Sequence, residues 1–319
     1  MNKTKVMIIA VVVSIAFLFS GCINGNDLDV PYEGQWGIYS LDTNTWETTL
    51  LFSLDDQASN LSLNPSGDTL VFSMRINGNE DINEEICAVS ISGNDFKIIT
   101  NNEHWDLYPT WAYDGSKVAF LSGRNGNLDI YLIDKDGENE AILYDSGHHD
   151  ADIHWSNGSI VFTSKSCIYM MDEDGANVMK VTSPDKAGEW GNANLPFGDY
   201  DPRLDPSGTK VIFERLEGDD SPHGNYNIYM IELDGSGERR LTDTYYSQGF
   251  ASWSHSGEEI VFIVSAIGTD GKYDIYMMGK DGNDMRNITP DYYPDDFLCH
   301  TPIFSINDDR IFFIGEWWV

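Results

Sequence analysis

The sequence predicts an all-β protein, a six-bladed β-propeller of four-stranded blades whose last blade is shared between the N- and C-terminal segments. Three observations carry this: one strand-turn-strand string recurs six times, its period is 43 to 50 residues, and the strings alternate or run β-branched between Gly, Asp, Asn and Pro, without a helical stretch. A period near 40 to 50 residues is that of a propeller blade.

The first half of the unit is an aromatic or Leu, a short turn with Gly, and a β-branched strand ending in Phe. It reads LNPSGDTLVF from Leu63, WAYDGSKVAF from Trp111, LDPSGTKVIF from Leu204 and WSHSGEEIVF from Trp253. A shortened copy, WSNGSIVF, begins at Trp155, and FSINDDRIFF from Phe304 carries Asp308 where the others have Gly. The turn glycines Gly67, Gly115, Gly158, Gly208 and Gly257 lie 48, 43, 50 and 49 residues apart.

The second half is an apolar pair, a strand, an Asp-Gly type turn and another strand. It begins at Ile130, Ile168, Ile228 and Ile275, and at Ile86 with Cys87 in the Tyr slot. A four-stranded sheet of this size cannot bury both faces alone. Stacking blades around an axis solves this and leaves only short, protected edges. The recurrent aromatics, 13% of the chain, then fill the spaces between blades.

The last copy stops after its first two strands, and its missing half stands at the other end as GIYSLDTNTWETTLLFSL from Gly37. Five complete units plus this composite make six blades. Residues 35–319 are therefore read as one propeller domain.

Ahead of it, Lys3 and Lys5 precede an apolar run from Val6 to Phe19, followed by Ser20, Gly21 and Cys22. This predicts a signal peptide over 1–21. The run is shorter than the roughly 20 residues that span a bilayer. Small residues before Cys22 resemble a prokaryotic lipobox, with an uncleaved anchor as the alternative. Residues 22–34 then form the lipidated cysteine and a polar tether. Both readings place the body outside the cytoplasm, exported and anchored to the outer face of the membrane.

Composition narrows the partners. With 52 acidic against 19 basic residues and a net charge of −33, the chain cannot supply the clustered cations that nucleic-acid binding requires. Cys87, Cys167 and Cys299 fall at unrelated repeat positions, which argues against a disulfide framework.

The repeat resembles the WD40-like β-propeller repeat of the TolB family, which runs Pro-x-Trp-Ser-x-Asp-Gly, a strand ending in Phe, then Asp-Ile-Tyr, a strand, Asp-Gly and Leu-Thr. The match is best from Tyr108 to Gly137, and in Ala251 to Phe262 with Tyr273 to Gly282, and extends from Gly37 to Glu316. This resemblance implies a six-bladed propeller. Propellers of this type serve as binding platforms, as lids on peptidases and as sugar-processing enzymes. The N-terminal α/β domain of TolB has no counterpart between Cys22 and Gly37.

Propellers bind at the mouths of the central channel. Aligned on the Trp111 slot, Ala58, Asp106, Asp150, Asp199, Gln248 and Cys299 stand five residues upstream, and Asn60, Tyr108, Asp152, Asp201, Phe250 and Thr301 three upstream. Strand alternation is expected to turn Asp150, Asp152 and His154 to one side. Asp106, Asp150, Asp152, Asp199, Asp201, Tyr108 and Phe250 are thus the candidate ligand-binding residues of an acidic channel mouth. It would suit a divalent cation or a basic peptide end; alternatively these Asp residues only accept backbone hydrogen bonds.

His104, His148 and His154 add imidazoles near this arc, a ligand type for zinc, although their spacing matches no closed motif. The Asp-x-Asp-Gly-x-Asn strings at Asp134 and Asp172 read as hairpin turns rather than calcium loops. Exposed insertions, with Trp190 in one, are further contact candidates. No serine-nucleophile elbow, zinc-protease helix, phosphate loop or dinucleotide fingerprint is present. The expectation is a binding or scaffold module for a cell-envelope protein, peptide or glycan, with no required cofactor beyond a possible divalent cation. A metal-assisted enzyme acting on polysaccharide or peptide, using the His and Asp cluster, stays open.

Overall fold

The computed structural model describes residues 34–76, 84–190, 195–218, 225–265, 273–294 and 296–318. The signal peptide, Cys22 and nearly all of the tether lie outside these residues. Numbered along the chain, the strands are β1 (Gly34–Asp42), β2 (Thr48–Leu54), β3 (Ala58–Leu63), β4 (Thr69–Arg75), β5 (Glu84–Ser90), β6 (Lys97–Ile98), β7 (Asp106–Trp111), β8 (Lys117–Ser122), β9 (Asp129–Asp134), β10 (Ala141–Tyr144), β11 (Asp150–Ser156) and β12 (Ser159–Ser164). They continue as β13 (Cys167–Asp172), β14 (Met179–Lys180), β15 (Gly198–Leu204), β16 (Lys210–Gly218), β17 (Asn225–Glu232), β18 (Arg239–Arg240), β19 (Ser247–Trp253), β20 (Glu259–Ser265), β21 (Tyr273–Gly279), β22 (Arg286–Asn287), β23 (Phe297–Phe304) and β24 (Arg310–Trp318). Among the described residues there is no helix.

These strands form six antiparallel four-stranded sheets. Blade 1 is β3–β6, blade 2 β7–β10, blade 3 β11–β14, blade 4 β15–β18, blade 5 β19–β22, and blade 6 is β23, β24, β1 and β2. The first strands touch in sequence, β3 to β7, β11, β15, β19, β23 and back to β3, so the ring is closed. Closure depends on blade 6, where β1 pairs with β24 in unbroken register from Gly34↔Trp318 to Asp42↔Arg310. The two ends of the chain are thereby held together by backbone hydrogen bonds, as the split repeat predicted.

The second strand of every blade buries the Phe that ends the repeat's first half: Phe72, Phe120, Phe162, Phe213, Phe262 and Phe312 are all 1% exposed or less. Burying one such side chain contributes about 2–3 kcal/mol. Four of them lie against the Tyr of the Ile-Tyr pair, Phe120–Tyr131, Phe162–Tyr169, Phe213–Tyr229 and Phe262–Tyr276, with ring centroids 5.8 to 6.1 Å apart. In blade 1 the partner across from Phe72 is Cys87, and Cys87, Cys167 and Cys299 are buried free thiols. The Asp134 and Asp172 strings are tight hairpins, whose aspartates accept the Asn139 and Asn177 side-chain amides at 2.6 Å.

The first strands are not regular. Each shifts register at one point, between Ser59 and Ser62, Leu107 and Thr110, Ala151 and His154, Tyr200 and Arg203, Gly249 and Ser252, and His300 and Ile303. Inside each bulge one residue takes a left-handed conformation: Asn60, Tyr108, Asp152, Asp201, Phe250 and Thr301, with φ between 45° and 57°. Simple alternation therefore fails at this slot. Asp150 lies before the bulge, Asp152 inside it and His154 beyond it, so the three do not share a side as expected.

Candidate functional site

A cavity of about 490 Å³ opens on the axis at the end of the ring where the first strands finish, and all six blades line it. Its rim is made by the second residue after each Trp slot: Pro65, Tyr113, Asn157, Pro206, His255 and Ile306. Most rim residues brace the turn of the next blade. Ile306 covers Gly67 so closely that a Cβ there would fall 2.7 Å from its side chain, and the Asn157 amide donates to the Ser207 carbonyl at 2.8 Å. At the blade 5 to 6 seam Asp308, with φ +58 in the glycine slot, accepts the His255 and Ser256 N–H groups at 2.6 and 2.9 Å. At the blade 2 to 3 seam the shortened repeat leaves Gly158 facing open space, and Tyr113 on the blade 2 rim stays 65% exposed.

Below the rim, side chains one residue before the Trp slot staple each blade to the next. Ser62 Oγ accepts Trp111 N–H at 3.3 Å, Thr110 Oγ1 accepts Trp155 N–H at 3.1 Å, and His154 Nδ1 accepts Leu204 N–H at 3.1 Å. Burial, with Arg203 nearby, pushes the His154 imidazole down to about 3. The neutral ring that accepts at Nδ1 carries its proton on Nε2, and so offers no lone pair to a metal.

Although 52 of the 319 residues are acidic, no Asp or Glu lines the cavity, and its one permanently charged lining residue is Arg203. Of the residues singled out in the sequence, Tyr108 and His154 line it. Asp106, Asp150 and Asp199 stand at the opposite, basal ends of their strands and are fully buried. Asp106 accepts Arg124 Nη2 at 3.1 Å and the Asn102 amide at 2.7 Å. Asp199 is clamped by Arg215 at 2.6 and 3.0 Å, and the same guanidinium reaches Glu238 and lies 4.6 Å over the Tyr229 ring. Asp150 accepts the Ser146 hydroxyl, at 2.7 Å, and burial pushes it up to about 6.

The bulge residues of blades 2 to 4 are buried and, with the half-buried Phe250 of blade 5, form a second group. Asp152 accepts Asp201 N–H at 3.2 Å, and Asp201 pairs with Arg203 at 2.8 Å. Glu214, facing both from β16, accepts Phe250 N–H. Burial and then the Asp201 charge push Asp152 up to about 6 and Glu214 well above the usual carboxylate range. Burial and Asp152 also hold the Tyr108 phenol protonated. A single cation thus serves three carboxyls, and burial disfavours the charged form of two of them.

His104 and His148 are exposed at the base, away from His154. Among the described residues no three His, Cys, Asp or Glu side chains are grouped so as to hold a metal ion. Sequence reasoning missed Arg203, Glu214, Arg124 and Arg215. Glu214 had a signal, since its slot after the buried Phe holds Ser73, Leu121, Thr163, Ile263 and Phe313 in the other blades.

No protein-family model matches the chain. Among solved structures, a protein of Agrobacterium tumefaciens assigned to TolB superposes with a TM-score of 0.69 at 16% identity, over 90% of this chain and 100% of that one. TolB from Acinetobacter baumannii superposes with a TM-score of 0.62 at 18% identity, over 80% of this chain and 63% of that one. In sequence, a TolB homologue of Chlorobium luteolum is 25% identical over 162 residues, 49% of this chain and 33% of that one. The chain spans about half or less of the length of the curated relatives it matches. With ring closure, blade count and repeat in agreement, the chain is in fold a TolB-like six-bladed β-propeller.

Proposed function

We propose that the chain is an extracytoplasmic, membrane-anchored binding or scaffold module that receives a protein, peptide or glycan partner in its axial cavity. The carrying observation is that cavity: six blades converge on it, yet it lacks the acids that dominate the rest of the chain. Hydroxyl, amide and aromatic edges with one arginine suit hydrogen bonding and apolar contact. Tyr108 from the walls and Tyr113 from the rim would touch the occupant, while the basal aspartates hold the strands that present them. Residues 1–21 act as the export signal and Cys22 as the lipid site in this reading, which puts the cavity in the cell envelope.

The test is photo-crosslinking in cells from single positions. A crosslinker at Tyr113 or Ile306 is expected to capture a discrete partner, whereas one at Leu50 or Ile142 on the outer strands is not. Identical adducts from both sets, or none from the rim, would refute the reading.

A further inference from the structure

The base of the ring between blades 2 and 3 holds carboxylates that the chain leaves without a counter-charge. In four blades a threonine closing the fourth strand caps the third: Thr100, Thr182, Thr242 and Thr289 accept the N–H of Ile86, Ile168, Ile228 and Ile275 at 2.8 to 2.9 Å. The same hydroxyl supplies a donor to its acidic or amide neighbour, as Thr100 does to Glu85 at 2.7 Å and Thr242 to Gln248 at 2.9 Å. In blade 2 that slot is Tyr144, whose ring packs on Phe162 at 5.4 Å. Asp129, the counterpart of Glu85, loses its donor. It is 1% exposed and both its carboxyl oxygens are without a hydrogen-bond partner.

A second break in the pattern falls at the same place. Asp106 and Asp199, in the blades on either side, each receive an arginine, whereas Asp150 between them receives none and its buried Oδ2 has no partner. The groups acting most strongly on Asp129 are Asp145, Asn125, whose side chain stays short of bonding geometry but lies close enough to favour the carboxylate, and Asp150; no Lys or Arg is among them. Asp145 is exposed, with Oδ1 taken by Gly147 N–H at 2.6 Å. Asn125 is exposed in the β8–β9 turn. Two buried carboxyls and one exposed carboxyl therefore crowd together with no basic side chain to balance them, an arrangement that isolated burial makes costly.

We propose that this corner binds a hard divalent cation of the calcium class, held by the Asp129 and Asp145 carboxylates and the Asn125 side-chain oxygen, with Asp150 adding negative charge behind them. Such ions take six to eight oxygen ligands and accept waters among them, which the exposed side of Asp145 and Asn125 admits. Two carboxylates and an amide do not require a closed cage of three acidic or imidazole groups. Nitrogen-preferring metals are disfavoured, because the nearby His149 spends its Nδ1 on Leu128 N–H at 3.0 Å. The site lies across the ring from the axial cavity and is independent of what occupies it.

The test is equilibrium dialysis of the full chain in detergent against calcium in 0.15 M NaCl, paired with thermal melts. Wild type is expected to take up one calcium saturably and to melt about 4–8 °C higher at a hundredfold excess over Kd. Asp145→Asn should weaken binding at least about tenfold, in line with the loss of one charged ligand. Tyr144→Thr, which restores the missing donor, should weaken it as well, and Asp172→Asn at an exposed hairpin should not. If calcium does not bind saturably to wild type, or binds equally to Asp145→Asn and Tyr144→Thr, the proposal falls. Both variants change partly exposed positions, so the outcome does not depend on the fate of the buried Asp129.

Discussion

Replacing Arg215 by Met removes the guanidinium that holds a fully buried carboxyl, and its cost can be worked from the structure. Arg215 makes two short bonds to Asp199, 2.6 and 3.0 Å, in a pair that is 10% and 0% exposed. Removing one member of such a pair costs about 3–5 kcal/mol because the other is left charged and unpaired. The Glu238 end is 38% exposed and adds no more than roughly 0.5–1 kcal/mol. Burial already pushes Asp199 up, with the Arg215 hydrogen bonds opposing; without Arg215 the folded chain keeps a proton there that the unfolded chain gives up near pH 4. The folded state then binds more protons, so the stability of Arg215→Met falls further as pH rises from about 4. Urea unfolding followed by tryptophan fluorescence between pH 5 and 8 measures both effects. Adding Asp199→Asn removes the stranded charge, and the double variant is expected to regain most of the loss and its pH dependence. A single variant within about 1 kcal/mol of wild type and flat in pH, or a double variant no better than the single, would show that the clamp is not what keeps blade 4 folded.

Two further outcomes follow from buried groups in blade 6. Thr301 is the β-branched member of the left-handed bulge ring, at φ 45°, and its buried hydroxyl has no partner; Thr301→Asn, the residue type that blade 1 uses at Asn60, should raise the urea midpoint by about 0.5–1 kcal/mol of stability, and a lower midpoint would contradict the strain argument. Burial also pushes Glu316 up to about 8 and His300 down to about 3 while the two meet at 2.9 Å. From about pH 4.5 to 8 the folded chain keeps the Glu316 proton that the unfolded chain releases, so stability is lost as pH rises through that window, and from about 6.5 down to 3 the neutral His300 and His154 cost stability as pH falls. Glu316→Gln should therefore make the fall of the melting temperature between about pH 5 and 8 less steep, the other raised carboxyls keeping the remainder; an unchanged slope there would mean the pair is ionised when folded.

Repeats made the fold legible. The six-fold string of turn and buried Phe, with its split between the two ends, fixes blade number and closure, because the β1–β24 pairing and the Phe72 to Phe312 series are direct products of that spacing. The site was less legible. Alternation is a local rule, and it misassigned Asp152 because the bulge depends on the neighbouring blade: Asp152 itself accepts the N–H of Asp201, and Ser73 and Glu214 hold the matching groups of Tyr108 and Phe250. Asp106 and Asp199 are held in turn by Arg124, in the β8–β9 turn, and Arg215, on β16, which stand at different repeat offsets that alternation does not reveal. His154 read as a metal ligand because its type is chemically versatile, while its position, equivalent to Ser62 and Thr110, marks it as a blade staple.

The two ends of the axis differ in chemistry, and that difference bears on how so acidic a chain can hold a partner. With a net charge of −33, long-range attraction favours basic molecules, but beyond about 8 Å it is screened at physiological salt. Contact at the cavity is governed instead by the groups that line it, among which Arg203 is the one that is permanently charged. Arg203 is itself paired with Asp201, and the adjoining Asp152 and Glu214 are driven toward their neutral forms by burial. At neutral pH Arg203 therefore offsets only part of the charge behind the cavity floor, because Asp152, pushed up to about 6, still keeps most of its charge, while burial holds Glu214 toward the neutral form. In the proposed reading an occupant would meet a lining without acids, and selection at this site would rest on shape and on hydrogen bonds to Tyr108 and the serines. In that reading the surface charge would set which molecules approach, and the acid-free lining would set which of them stay.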